Sequence, residues 1–423
     1  MTTTVYNRIM AIVSLVMMAL MLIFPAKLYV IKIVLLGILF FTFIGKTRIS
    51  KTIRFLLLFL VMSTLWGLIV GTLNGNPYPL AGVTTGVMWP ILGVIIVLPQ
   101  LTKEIDFNNL AHYLFYLHAF IVIYDILFAL HFIIGFPFFN LYPEVETPFS
   151  YYGTTSRLNL DDNLNVLTFT IPFYFLIWLS NYNIRINRIF QLFMIAAAFF
   201  LMILSGRRSL MLIFITAPIL VVLTGEFLPK ESVKTVRKML VFFVVLLFFA
   251  LLYVSVNEPE LLEGYSHTFL KAFDSDEEST KFIQAKMLWN NFCENPIIGA
   301  GNGAEFYEAA RGVRQHQYEL IYLLILATRG IIGGCMYFWG IFGVLIIGVR
   351  LFFKTHDIML LSLMFGFLFV LIANATNPVL SSFDLMLPLY FCYAKINSLS
   401  LKRTTYYINN EDKIQYSIRS SRI

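Results

Sequence analysis

An all-α, polytopic integral membrane protein is the fold class this sequence predicts, and three observations predict it. Of the 423 residues, 59% are apolar and only 13% charged, whereas soluble domains carry about a quarter charged residues. The apolar residues fall in runs close to the roughly 20 residues that an α-helical span requires. The basic residues sit in short blocks between those runs, as orienting signals do. The formal net charge of +7 therefore reads as topology, not as a nucleic-acid surface. The lipid bilayer is the expected solvent and nucleic acid is not an expected partner.

About twelve transmembrane helices are predicted, near 9–26, 28–45, 55–73, 80–101, 110–134, 163–180, 189–204, 210–224, 239–256, 330–350, 357–376 and 384–400. They form one membrane domain over 1–400, followed by a polar tail at 401–423. With the N-terminus inside, most of the 31 Lys and Arg fall on inside connections, for example Lys46, Arg48, Lys51 and Arg54, or Lys230, Lys234, Arg237 and Lys238. The short outside turns 74–79 and 377–383 carry neither residue type, so both termini and the tail are expected to be cytoplasmic. Lys32 and Lys395 lie near span ends and are expected to snorkel. The stretch after Arg8 runs through Pro25 and Lys27 straight into another span, which reads as a retained hairpin and not a cleaved signal.

The outside face holds the unusual material. A loop at 135–162 carries Glu144, Glu146, Arg157, Asp161 and Asp162. The span 189–204 ends in Ser205-Gly206-Arg207-Arg208-Ser209. Between spans nine and ten, 257–329 forms a large, partly helical periplasmic loop, with an acidic patch (Asp274, Asp276, Glu277, Glu278) and a helical stretch from Thr280 to Phe292. Two guanidiniums at a tight turn must face water, headgroups or a polar cavity, and the arginine fork matches phosphate oxygens. A headgroup anchor is their other use.

Alternate glycines in Asn295-Pro296-Ile297-Ile298-Gly299-Ala300-Gly301 allow a turn whose N–H groups converge on an anion, or simply one that ends the preceding helix. Further on, His316 and Glu319 are spaced to share a helix face, where the carboxylate would orient the imidazole as a general base beside Arg311 and Arg314. A histidine bonded to backbone at the interface is the alternative. Asp125 falls in mid-span, one face with His118, which makes a proton relay conceivable. Cys293, Cys335 and Cys392 are too few and scattered for a thiolate cluster, and neither metal nor cofactor is expected.

The order of these pieces resembles the O-antigen polymerase and O-antigen ligase superfamily of bacterial membrane glycosyltransferases. The resemblance covers roughly 189–345 and rests on three features: the turn Ser205-Gly206-Arg207-Arg208; the Pro296-x-x-Gly299-x-Gly301 turn; and the helix led by His316 that reaches Gly330 and Gly333. The chain departs from the pattern where Lys281 replaces an arginine, Gln317 an asparagine and Thr328 an acidic residue.

What the resemblance implies is a metal-independent glycosyltransferase of the bacterial inner membrane, with its site facing the periplasm and no cofactor. Its donor would be an oligosaccharide on undecaprenyl pyrophosphate, and its partners in the pathway a flippase and a chain-length regulator. His316 and Arg208 would be catalytic. Arg208, Arg207, Lys281, Arg314, Gly299 and Gly301 would hold the pyrophosphate, and Glu319 would support His316. Tyr318 and Tyr322 are candidates either for sugar stacking or for the core. A polymerase joining lipid-linked repeat units is expected, a ligase to lipid A-core is the alternative, and a lipid-linked oligosaccharide transporter is the rival from another class.

Overall fold

A computed structural model describes residues 3–25, 27–45, 48–99, 106–142, 149–152, 155–158, 163–204, 234, 280–308 and 312–401. The chain is a bundle of helices. In order these are α1 (Thr3–Ile23), α2 (Tyr29–Phe43), α3 (Lys51–Leu73), α4 (Trp89–Pro99, led in by a π-turn at Thr84–Met88), α5 (Phe107–Ile134), α6 (Leu164–Leu179), α7 (Arg188–Leu204), α8 (Thr280–Glu294), α9 (Ile321–Thr355), α10 (Ile358–Asn374) and α11 (387–401). Two short antiparallel hairpins, β1–β2 (Phe149–Tyr152, Thr155–Leu158) and β3–β4 (Phe306–Glu308, Val313–Gln315), lie in the connections.

Lys51–Leu73, Phe107–His131 and Ile321–Thr355 are long and apolar enough to cross a membrane, and the shorter apolar helices pack around them. Outward-facing apolar side chains such as Phe41, Val30 and Ile189 are largely exposed, as expected where the outer solvent is hydrocarbon. The protein is a helical membrane protein. The expected spans at 210–224 and 239–256 and nearly all of the tail lie outside the described residues.

Helix ends follow their local sequence. Ser50 accepts from the N–H of Ile53 at the start of α3, and Asp357 from that of Leu360 at the start of α10. Helix α9 packs closely on α3 through small residues: a Cβ on Gly340 would lie 3.0 Å from Leu60 Cβ, and one on Gly343 2.8 Å from Leu56. At the end where α3 begins, Asn397 of α11 accepts from the N–H of Ser50 (2.7 Å) and donates to the Arg48 carbonyl (2.9 Å).

Two expectations about charge in the spans, for Lys32 and for the His118–Asp125 relay, are corrected. Lys32 does not snorkel. It is 3% exposed, and its Nζ lies 2.5 Å from Asp384 at the head of α11 and donates to the Phe24 carbonyl. The pairing could not be foreseen because its partner lies 352 positions away. Lys395 pairs with Asp357 at 2.8 Å and covers the Phe107 ring. His118 and Asp125 form no direct relay: His118 Nδ1 meets Thr170 Oγ1 at 2.9 Å, while Asp125 accepts from Asn163 at 3.1 Å. His118 and Asp125 thus each meet one partner, on α6 and on its N-terminal flank respectively.

Removing one partner of a buried ion pair leaves the other charge in a poor solvent. Lys32→Ala should therefore destabilise the bundle by about 3–5 kcal/mol, seen as a lowered unfolding midpoint in detergent, and Lys32→Met with Asp384→Leu should recover most of the loss.

Candidate functional site

Helix α8, the turn after it, hairpin β3–β4 and the start of α9 fold around a second small core of Leu288, Ala304, Phe306, Tyr318 and Ala327, separate from that of the bundle. The feature that places this unit lies inside α9. Gly330 has φ 61° and ψ −167°, so the helix is broken there. A break strips backbone partners from both sides, and at membrane depth water does not replace them.

The glycine turn replaces them. Ala300 N–H donates to the Ala327 carbonyl (2.9 Å) and Gly301 N–H to that of Thr328 (2.7 Å). In the other direction, Ile331 N–H donates to the Pro296 carbonyl (2.8 Å) and Ile332 N–H to that of Ile297 (3.3 Å). This contact needs glycine on both sides: a Cβ on Gly299 would lie 2.4 Å from Gly330 N, and one on Gly330 2.3 Å from the Ile297 oxygen.

The same turn is wedged against α3. Asn302 N–H donates to the Gly67 carbonyl (2.8 Å) and its side chain to that of Thr64 (3.2 Å). Thr64 lies nine residues before the end of α3, about 13 Å along the axis. The expectation that Gly299 and Gly301 present their amides to pyrophosphate is thus corrected. Gly299 N–H already donates to the Asn295 carbonyl and Gly301 N–H to that of Thr328. The glycines allow backbone to approach backbone.

The short turn after α3 closes over this wedge. Asn74 and Asn76 donate to the Ala300 carbonyl at 3.1 and 2.9 Å, and Asn76 also reaches that of Asn302. The backbone of Tyr78 abuts Gly303, where a Cβ would lie 1.9 Å from its oxygen. The Tyr78 ring stacks on His316, with centroids 4.4 Å apart and planes 29° apart. His316 follows β4 directly and is half-buried.

Glu319 does not orient His316. Residues 316–320 precede α9, which begins at Ile321, so the helical spacing that would pair them is absent. Glu319 pairs instead with Lys281 at 3.1 Å, and Lys281 also donates to the Thr376 carbonyl (2.9 Å). Lys281 therefore straps α8 to the lead into α9 and to the end of α10. Arg314 is exposed on β4, opposite Tyr307. Arg207, Arg208 and Arg311 lie outside the described residues.

Tyr318 and Tyr322 belong to the core. The Tyr318 hydroxyl is shared between the Phe306 and Gln315 carbonyls, and burial pushes its pKa up to about 12. Tyr322 bonds to the Leu371 carbonyl and packs on Phe338 and Phe342.

Sequence reasoning missed four residues here. Tyr78 and Asn302 read as turn residues. Glu308, fully buried, is held by Gln284 and Gln315. Arg329, also buried, donates to Asn302, Ser63 and Thr64. A signal for Arg329 did exist: a cation flush against Gly330, where a span was expected to begin.

Residues 168–338 match the family described as O-antigen ligase. The matched stretch takes in most of α6, α7, α8, the glycine turn, the hairpin and His316, and ends within α9; α3 and Tyr78 lie outside it. None of the curated proteins compared with the chain matches it.

Gly301→Ala places a methyl 2.3 Å from Gly71 Cα at a φ of 89°. Overpacking and left-handed strain together should destabilise the protein by about 2–5 kcal/mol, read as a lowered melting temperature and a lower folded yield.

Proposed function

From the match of residues 168–338 to the O-antigen ligase family, we propose that the chain is an O-antigen polymerase of the polymerase and ligase superfamily. It transfers a glycan from undecaprenyl pyrophosphate to a sugar hydroxyl of another lipid-linked repeat unit, on the periplasmic side of the inner membrane. The observation that supports this reading is the His316–Tyr78 stack seated on the glycine wedge, an imidazole held beyond the end of α3 and next to backbone that is braced against that helix.

In the reaction the acceptor hydroxyl oxygen attacks the anomeric carbon, and the bond from that carbon to the pyrophosphate oxygen breaks. The hydroxyl proton goes to His316 acting as base. The leaving pyrophosphate gathers negative charge, which Arg208 stabilises, aided by Arg207 and Arg314. Lys281 is a weaker candidate for that role because Glu319 already pairs with it. Polymerase is preferred to ligase because the chain departs from the superfamily pattern at Lys281, Gln317 and Thr328, and polymerases are the more divergent branch of that superfamily. A flippase supplying the donor and a regulator of chain length are the partners such a polymerase would require.

The test is surface-polysaccharide profiling of a deletion strain complemented with wild type, Arg208→Ala or His316→Ala, with expression checked. The expected outcome is a ladder in the wild type and collapse to single repeats on lipid A-core in both variants. Bare core with long lipid-linked polymer accumulating would identify a ligase, and a normal ladder in both variants would remove these residues from the site. Tyr78→Phe should keep the ladder, whereas Tyr78→Ala, which frees the His316 ring, should shorten it severalfold in mean repeat number.

A further inference from the structure

Arg329 is a charge that the scheme above does not use. It is 5% exposed, sits at the last position before the break in α9, and lies level with Ser63 and Thr64 in the interior of α3. Its Nε donates to Asn302 Oδ1 (3.2 Å) and its Nη1 to Ser63 Oγ (3.0 Å) and Thr64 Oγ1 (3.3 Å). All three acceptors are neutral. The Tyr337 ring covers a further side, 5.9 Å from the guanidinium carbon.

Among the described residues Nη2 has no hydrogen-bond acceptor and the guanidinium has no carboxylate partner. An arginine presents five N–H donors, and Nη2 is not among the fully enclosed atoms that lack a partner, so its two donors are the side of the guanidinium within reach of a ligand. The carbonyl end of the short helix before Gly330 favours a cation there but supplies no full counter-charge.

The unpaired Nη2 has a direction. A Cβ built on Gly82 would lie 3.3 Å from Nη2, so Nη2 faces the turn 78–83 that follows α3. That same turn lays Tyr78 on His316. One turn therefore roofs both groups, with His316 half-buried beside it and Arg329 buried beneath it.

We propose that Arg329, through Nη2, binds an anionic phosphate-ester oxygen in a subsite under the 78–83 turn. The proposal rests on the reading of the His316 site as a lipid-pyrophosphate transferase. The donor orders its groups along the membrane normal, with the sugar outermost, then the sugar-bearing phosphate, then the phosphate esterified to the polyprenyl chain. With the anomeric carbon at His316, the innermost phosphate falls toward the deeper cation. Arg329 then selects for lipid-bound phosphate and fixes the depth at which the donor sits.

The experiment uses the full chain in dodecyl maltoside, a detergent with no phosphate, with farnesyl pyrophosphate as the probe, and reads melting temperature and affinity. Wild type should be stabilised saturably. Arg329→Lys keeps the charge but loses the fork and should bind at least about tenfold more weakly. Gly82→Ala sets a methyl about 3.3 Å from Nη2 at a φ of 80°, which also strains the turn, and should weaken binding severalfold in protein whose unliganded melting temperature stays close to that of the wild type.

A folded Arg329→Lys that binds as tightly as wild type would overturn the proposal and leave Arg329 a structural clamp with water at Nη2. So would the absence of any phosphate-ester effect on the wild type. Should Arg329→Lys fail to fold, unchanged affinity in Gly82→Ala overturns it. Stabilisation by phosphatidylglycerol added to the micelles that is lost in the variants, in place of farnesyl pyrophosphate binding, upholds the phosphate-ester site and makes a bulk-lipid headgroup its occupant. Because neither a glycan donor nor its acceptor is present, the result is independent of the polysaccharide ladder that tests the transferase reading.

Discussion

Backbone groups at membrane depth must find partners within the protein, and the break at Gly330 makes that requirement acute. Two carbonyls and two amides of α9 lose their helical partners there, and residues 296–301 return all four. Almost everything in the site follows from that exchange. It dictates glycine at 299 and 330, because a side chain on either would force the strands of the exchange apart. It draws residues 299–303 down the side of α3, where Asn302 takes the Gly67 and Thr64 carbonyls. The resulting shelf is what Asn74, Asn76 and Tyr78 dock on, and Tyr78 in turn sets the plane of His316.

Charge is handled by depth. Where Lys32 is taken fully out of solvent, it meets a carboxylate at 2.5 Å and a backbone carbonyl, so the charge is compensated at once. The Lys281–Glu319 pair is more than a third exposed on each side; screening makes its energetic value small, and its consequence is geometric, holding α8 against the residues that lead into α9. Arg329 follows neither pattern, being as buried as Lys32 yet faced only by hydroxyls, an amide oxygen and an aromatic ring. A fixed charge held by neutral groups keeps its field, which is what a site for an anion requires.

Period and composition carry only local information, and the contrast between the spans and the site shows where that stops. The apolar runs at 28–45, 55–73 and 110–134 stand as α2, α3 and α5 because hydrocarbon solvent demands continuous apolar helix. The expected start of a span at 330 coincides with the break in α9, since the glycine that ends one hydrophobic pattern and starts another is also the one that leaves the helical region. The Pro-x-x-Gly-x-Gly turn was legible as a turn, but not its purpose. Its partner carbonyls lie at Ala327 and Thr328, and nothing in residues 295–303 announces them. The pairing of His316 with Glu319 failed for a related reason: a three-residue spacing has meaning only within a helix, and the helix begins at Ile321.

The stretch that matches the family, 168–338, supplies the glycine turn, the hairpin and His316, but only half of what holds them. The Gly67 and Thr64 carbonyls, the asparagines over Ala300 and the ring on His316 all come from residues 63–83. Without α3 the wedge would present the Asn302 amide, its side chain and the Arg329 guanidinium to lipid, each at a cost that short β-strands and a small core cannot offset. The stretch that matches the family and the helix α3 that braces it therefore depend on each other despite their separation in sequence. The geometry at His316 is accordingly set by α3 and the turn after it as much as by the residues that surround the histidine in the chain.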